Sequence, residues 1–412
     1  MKKVSMRLSM LLSMLFIFGT FVACTDNGDL DEEKTSTEVT VQLVMDSDEY
    51  EDISLADLTI TLTDSDYGTS QSATTDATGL ATFEVAFGTY IAYADYTIDL
   101  GAGTVLILNG STEQIKASKT DSSNVNAELT LKASTSGSVI ISEVYISGTY
   151  YDDASSIKSY NDQYIKLYNN TNITTYLDGI CIGTAYPYTS AATNKWVDDS
   201  GNILDGVAIG QSGWMFPGDG DDYPIAPGEE VVVCRNAIDL SADMTDAYVV
   251  KPINLSTAGW AIYSDTYTTS HSAPSAGVNS LDCFVQITSM ALYMITPISP
   301  AIFLYHTDGM DTETFVSTYR TNYPGSTNAI LDCLFIPSEL VLDGVEMMGD
   351  AANTKRVVSS IDNGYILAGG MYSHTAYGRV VDYTTEDGRI VYKDTNNSTN
   401  DFYQLDKPSL EE

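Results

Sequence analysis

Positive charge is scarce in this chain of 412 residues. Nineteen Lys and Arg stand against 56 Asp and Glu, a formal net charge of −37. A surface that holds phosphates needs clustered cations, so nucleic acid is excluded as a partner. Plain electrostatic docking on anionic lipid is excluded for the same reason. Charged residues of either sign make up only 18% of the chain, so Ser, Thr, Asn and Tyr must supply the wetted surface. Histidine is limited to His271, His306 and His374, far apart in sequence. Neither H-E-x-x-H nor G-x-S-x-G nor a phosphate-binding glycine loop occurs. A triad assembled from distant residues is not excluded by that. The five cysteines include no C-x-x-C pair, which removes the usual spacing of zinc and redox sites. What is present is apolar material, at 43%, enough for cores in about two or three domains of roughly 150 residues each. Tyr 28 and Gly 30 with few Lys is the composition of an extracytoplasmic β protein.

The N-terminus reads as a targeting segment over residues 1–23. Lys2, Lys3 and Arg7 precede an uncharged apolar run from Leu8 to Val22, which ends at Ala23-Cys24. That is the layout of a secretory signal, and the run is short for a span of about 20 residues. Phe21-Val22-Ala23-Cys24 resembles a bacterial lipobox, in which the Cys receives diacylglycerol and becomes the new N-terminus. Each buried methylene contributes about 0.8 kcal/mol, so two or three acyl chains hold a protein essentially permanently. Residues 24–37 form an acidic tether with Asp26, Asp29, Asp31, Glu32 and Glu33. It resembles the signal that sends lipoproteins of Bacteroidota to the outer face of the outer membrane; a solvated flexible linker is the plainer reading and is compatible with it. Cys181, Cys234, Cys283 and Cys333 would permit disulfides in an oxidising compartment. Each sits in an apolar stretch, so buried thiols are expected instead.

From 38 to 133 the apolar residues keep period two. Val39, Val41, Leu43 and Met45 share one strand face, as do Leu58, Ile60 and Leu62, then Ala81, Phe83 and Val85, and finally Val125, Ala127, Leu129 and Leu131. Half-buried antiparallel strands and a small β-sandwich follow from this. Thr75-Asp76-Ala77-Thr78-Gly79-Leu80-Ala81-Thr82-Phe83 with Gly88-Thr89-Tyr90 resembles the transthyretin-like, carboxypeptidase-regulatory-like modules of bacterial surface proteins. The resemblance implies a spacer or stalk. Ser134-Thr135-Ser136-Gly137-Ser138 reads as a small-residue linker between domains.

A second and larger β domain is expected over 139–412, with inserted structure at about 240–323. Its marks are Ile141-Ser142-Glu143-Val144, then Tyr164 to Thr171, then Leu177-Asp178-Gly179, then Pro227-Gly228 before Val231-Val232-Val233. These resemble the lamin-tail type of immunoglobulin-like domain, with Lys166 where such domains usually carry Glu. The block Asn161 to Thr171 (N-D-Q-Y-x-K-L-Y-N-N-T) and the block Asp394 to Phe402 (D-T-N-N-S-T-x-D-F) resemble an uncharacterised family of Bacteroidota lipoproteins. Cys283 to Tyr305 carries no formal charge, but Gln286, Pro297 and Pro300 point to two buried strands rather than a membrane span. Asp311 reads as the cap of a short helix.

Chemistry is thinly marked. His306, after Leu304-Tyr305 and before Asp308-Gly309, is expected to bond a turn. Asp219, Asp221 and Asp222 offer oxygen to calcium, without the spacing of an EF-hand loop; a solvated acidic loop is the plainer reading and no cofactor is expected. Trp196, Trp214 and Phe216 lie beside turn-forming residues and acids, a pattern that suits a sugar or protein interface if exposed and a plugged sandwich end if buried. The overall expectation is an all-β, lipid-anchored outer-membrane protein facing the cell exterior. Its lipid would sit on Cys24, and it would bind a glycan, peptide or protein without catalysing a reaction. An accessory subunit of a TonB-dependent uptake or fimbria-like system is the alternative, and a hydrolase with an unrecognised site the second.

Overall fold

The computed structural model describes residues 35–45, 53–65, 67–101, 104–118, 124–150, 158–210, 212–242, 250–265, 272–287, 295–325, 332–385 and 388–411. The fold is all-β, with two short α-helices among the described residues, Thr312–Tyr319 and Ser398–Asp401. No helix among the described residues is long and apolar enough to cross a membrane.

The first block is one eight-stranded sheet. Its order runs Ser70–Thr74, Thr59–Asp64, Gly88–Gly101, Thr104–Ser111, Val125–Gly137, Ser36–Met45, Leu80–Ala86, with Ile115–Ala117 also on Gly88–Gly101. The sheet closes over a single core in which Val39, Val41 and Leu43 meet Ile60, Leu62, Leu106 and Leu108. Burial alternates along Ser36–Met45 and Leu80–Ala86, as period two requires. The turn before Leu80 is built on Asp76, whose carboxylate accepts from Thr78 N (2.7 Å), Thr78 Oγ1 (2.6 Å) and Leu80 N (3.2 Å). Those bonds hold the Asp76 carboxyl below its usual range. Gly79 takes φ +80°, which a side chain would strain. At the next corner Tyr90 Oη donates to the Ala86 carbonyl at 3.0 Å.

The expected linker is not a linker. Residues 134–137 continue the strand Val125–Gly137 and pair with Thr104–Ile107. Gly137 is small because Leu342 of the second block lies against it: a Cβ there would come 2.7 Å from the Leu342 carbonyl. One residue later the strand Val139–Tyr145 begins.

The second block is layered. A seven-stranded sheet runs Asn279–Ser280, Trp260–Ala261, Glu230–Cys234, Tyr164–Asn169, Val139–Tyr145, Ala376–Arg379, Phe402–Gln404. A six-stranded sheet runs Asp282–Gln286, Ser212–Met215, Cys181–Thr184, Ala301–Tyr305, Val341–Met348, Ile366–Leu367. Val139, Ile141, Ile165 and Leu167 of the first share a core with Ile182, Trp214, Ile302, Leu304 and Val345 of the second. The other face of the six-stranded sheet packs Cys181, Phe303 and Tyr305 on Phe315, Leu334 and Ile336, from the helix and a three-stranded sheet. A strand buried on both faces should read as continuously apolar, and Ala301–Tyr305 (AIFLY) does.

Within the region expected as insertion, about 240–323, five short strands join the sheets, and Ala301–Tyr305 is central to the six-stranded one. Pro300 sits immediately before that strand, and Asp282–Gln286 lies in the same sheet, so the described residues of the uncharged run include strands of one sheet. Asp311 caps the helix Thr312–Tyr319 through Thr314 N. The four cysteines are thiols. Cys181, Cys234 and Cys333 lie in three different cores and Cys283 packs against a fourth, so no two are placed to bridge. Burial pushes Cys234 and Cys333 up to about 12, which leaves them inert.

Candidate functional site

The expected aromatic loop site does not form. Trp214 and Phe216 have no exposed surface and Trp196 is 6% exposed. Trp214 stands in a strand, opposite Ile182, and its Nε1 donates to Ser212 Oγ at 2.7 Å. Phe216 meets the Trp260 ring edge-on at 4.9 Å. Trp196 lies in a separate core against Phe335 and Tyr323. Each ring is spent on packing. Asp219, Asp221 and Asp222 are exposed. Their loop wraps Asp178, whose carboxylate accepts from Gly220, Asp222 and Tyr223 N–H groups, while Asp222 accepts from Asp219 N. The arrangement is a hydrogen-bonded acidic turn. Among the described residues no three His, Cys, Asp or Glu converge as metal ligands. Cys24 lies outside the described residues.

The two sequence blocks turn out to be scaffold. In the first, Gln163 Nε2 donates to the Ile146 and Ile295 carbonyls (2.7 and 2.9 Å). Tyr164 Oη donates to Glu143 (2.5 Å), and Lys166 lies between Glu143 and Glu230 (3.5 and 3.3 Å). Asn169 Nδ2 donates to the Ile173 and Ile225 carbonyls. Asn170 pairs with the backbone of Tyr392 like a neighbouring strand, donating to its carbonyl (2.9 Å) and accepting from its N–H (2.8 Å). In the second block, Asp394 pairs with Arg379, Asp401 accepts from Thr395 and Asn397, and Ser398 bonds Asp362. Buried polar groups must be bonded or they destabilise the fold. These side chains meet that demand where strands and loops cross, except at Gln163 Oε1, which has no partner among the described residues.

Two buried ionic clusters and one half-buried polar cluster join distant segments. Arg356 bonds Glu346 with neither side chain exposed, and further donates to the Pro187 and Met347 carbonyls. Arg379 bonds both oxygens of Asp343 (2.8 and 2.7 Å), one of Asp394 (2.9 Å) and the Ile141 carbonyl (2.9 Å), over the Phe402 ring. Burial pushes the Asp343 carboxyl up, to about 7, against the pull of Arg379.

The third cluster contains a histidine. Tyr145 Oη and Thr149 Oγ1 each lie 3.0–3.1 Å from His374 Nδ1 and from Asp162 Oδ2. His374 Nε2 faces Glu411 at 3.1 Å. Thr–His–Glu is the connectivity of an activated nucleophile. Thr149, however, has no exposed surface. The cluster instead ties the C-terminal segment to the sheet, with Ser409 bonding Glu143 alongside. Asp162 is fully buried, burial raises its pKa, and its Oδ1 has no partner among the described residues. His306 does what its strand-end position implies, accepting from Asp308 N at 3.0 Å.

Several exposed apolar side chains share one hairpin. The hairpin Val381–Thr384 with Ile390–Tyr392 carries Val381, Tyr383 and Ile390, each 37–45% exposed. Tyr403, 52% exposed, stands on the edge strand Phe402–Gln404 and lies near enough to Tyr392 to help raise its phenol. The hairpin is docked by Asn170 and by Tyr168, whose Oη donates to the Ile390 carbonyl at 2.6 Å. Sequence reading missed this surface. The alternation in Val381-Asp382-Tyr383 and Ile390-Val391-Tyr392 was its available signal.

Fold and site together define a layered β-sandwich protein with a docked aromatic hairpin. Residues 226–409 match the model of a family described as a protein of unknown function, DUF4876. A crystal structure of a DUF4876 family protein from Bacteroides thetaiotaomicron VPI-5482 is similar over 89% of this chain and 94% of that one. The TM-score is 0.63 at 21% identity, which shows a shared fold. A candidate adhesin from Bacteroides ovatus ATCC 8483 aligns over 71% of this chain and 86% of its own, at 9% identity and TM-score 0.19, too low to carry an argument. No curated protein matches the chain.

Proposed function

We propose that this chain is a lipid-anchored outer-membrane protein, displayed on the cell exterior, that binds a glycan, peptide or protein partner without catalysing a reaction. The lipid sits on Cys24 of the Phe21-Val22-Ala23-Cys24 lipobox, and the acidic tether carries the β blocks outward. The binding surface is the hairpin Val381–Thr384 and Ile390–Tyr392 together with Tyr403. One contrast carries this reading. The Arg356–Glu346 and Arg379–Asp343 pairs are buried and bonded within the fold, whereas Val381, Tyr383 and Ile390 are exposed together on this hairpin. Tyrosine suits such a surface because its ring gives contact area at low entropy cost and its hydroxyl bonds polar ligands.

The test is retention of the fluorescently labelled chain on glycan and peptide arrays, beside a Tyr383→Ser/Tyr403→Ser variant. Selective retention that the variant loses, at unchanged thermal stability, supports the reading. Equal retention by both proteins, or none by either, contradicts it.

A further inference from the structure

We infer that the N-terminal sandwich is a force-bearing clamp, in which the first and last strands are paired so that tension between the tether and the second block loads their ladder in shear. The source of the load rests on the anchoring proposed above; the mechanical geometry does not. The strand Ser36–Met45 runs parallel to Val125–Gly137, from Val39 opposite Val125 to Met45 opposite Leu131. The chain enters the sandwich at Ser36 and leaves it at Gly137. In a parallel pair those points lie at opposite ends of the overlap. A pull on both slides one strand along the other, so the bonds across the overlap are strained together instead of in turn. At about 3.3 Å per residue the overlap is roughly 20 Å long.

Three features reinforce the clamp. Ser36–Met45 is an inner strand, held on its other side by Leu80–Ala86 from Ser36 opposite Ala86 to Gln42 opposite Leu80, so it must shear against two neighbours. One face of the overlap is dry, with Val39, Val41, Leu43, Leu129 and Leu131 at most 1% exposed. The other face is stitched by side chains: Thr40 Oγ1 donates to Asn126 at 2.5 Å, Asn124 bonds Glu38, and Ser36 Oγ donates to Glu84 at 3.0 Å. The exit has little slack. Gly137 lies against Leu342, and Ser138, the one residue between strands, is buried and accepts from Thr175 Oγ1 at 2.8 Å. Tension in the second block therefore reaches the clamp directly.

Forced unfolding reads an unfolding rate, so pulling geometry is a direct test. The chain from residue 24, with Cys24→Ser, is stretched in optical tweezers by handles at its two ends. The step that releases Ser36 to Gly137 is identified by its length, roughly 350 Å at about 3.3–3.6 Å per residue. The same chain is then pulled between its N-terminus and Ala86→Cys. Ser36 and Ala86 are neighbours at one end of an antiparallel pair, so this load unzips bonds one after another. The clamp predicts a several-fold higher force in the first geometry, reduced by Thr40→Pro, which removes an N–H from the loaded strand. Equal forces in the two geometries, or no step of that length, overturn it. Palmitate labelling of Cys24 decides the anchoring separately, since the force comparison uses no lipid.

Discussion

Arg379 offers the sharpest perturbation of the scaffold. Its guanidinium and the Asp343 carboxylate are 2% and 3% exposed, and the carboxylate also accepts from Ile141 N (2.6 Å) and Gly344 N (2.9 Å). Arg379→Met leaves Asp343 buried without its cation. Breaking one side of such a pair costs about 3–5 kcal/mol. For a unit of about 150–250 residues, at about 2–4 °C per kcal/mol, that lowers Tm by about 6–20 °C. The readout is selective, because Trp196, Trp214 and Trp260 all lie in the second block and their fluorescence follows its unfolding. Adding Asp343→Asn to Arg379→Met removes the stranded charge while keeping an acceptor for Ile141 N–H, so stability recovers in part. The sign with pH is also fixed. A carboxyl whose folded pKa is raised above the usual 3.8 contributes stability at low pH and loses it as pH rises through the folded value, about 7 with Arg379 in place. Without Arg379 that value rises further, so the single variant is weakest at alkaline pH. A Tm within about 2 °C of the parent at pH 8 refutes the reasoning, because it shows a loss of no more than about 1 kcal/mol.

Two further outcomes follow from the same physics. Asp162→Asn keeps an acceptor for Tyr145, Thr149 and Ile253 N and removes a buried carboxyl, so the variant gains on the parent as pH rises above the usual carboxylate value in urea melts; a difference that does not change with pH contradicts the burial argument. Asn170→Ala removes both bonds that dock Tyr392, each contributing about 0.5–1.5 kcal/mol, so hydrogen exchange speeds up in 381–392 while the core strand 164–169 changes little. Unchanged exchange in the hairpin counts against its docking by Asn170.

Alternation made the N-terminal strands legible, since each buries one face. Asp76 to Gly79, Asp311 and His306 were legible because their partners lie within four residues. Partners far along the chain were not. The Asn161 to Thr171 block stands out in the sequence, yet Asn170 works on Tyr392 and Tyr168 on Ile390, more than two hundred residues away. Trp214 was misplaced because Ser212-Gly213 reads as a turn. In the fold Gly213 is a strand residue whose missing Cβ makes room for the Phe284 ring, 2.4 Å from where that atom would be. Ser134 to Gly137 misled in the same way. Small residues mark close approach as well as loops, and one sequence does not separate the two.

The proposed anchoring at Cys24 underlies the outward placement of the hairpin surface. Cells expressing the full chain or its Cys24→Ser form are grown with labelled palmitate, fractionated and treated with protease from outside. The account predicts label on the parent alone, the parent in the outer-membrane fraction and open to protease, and the variant released from the membrane. An unlabelled parent, or a variant that stays with the membrane as the parent does, contradicts it.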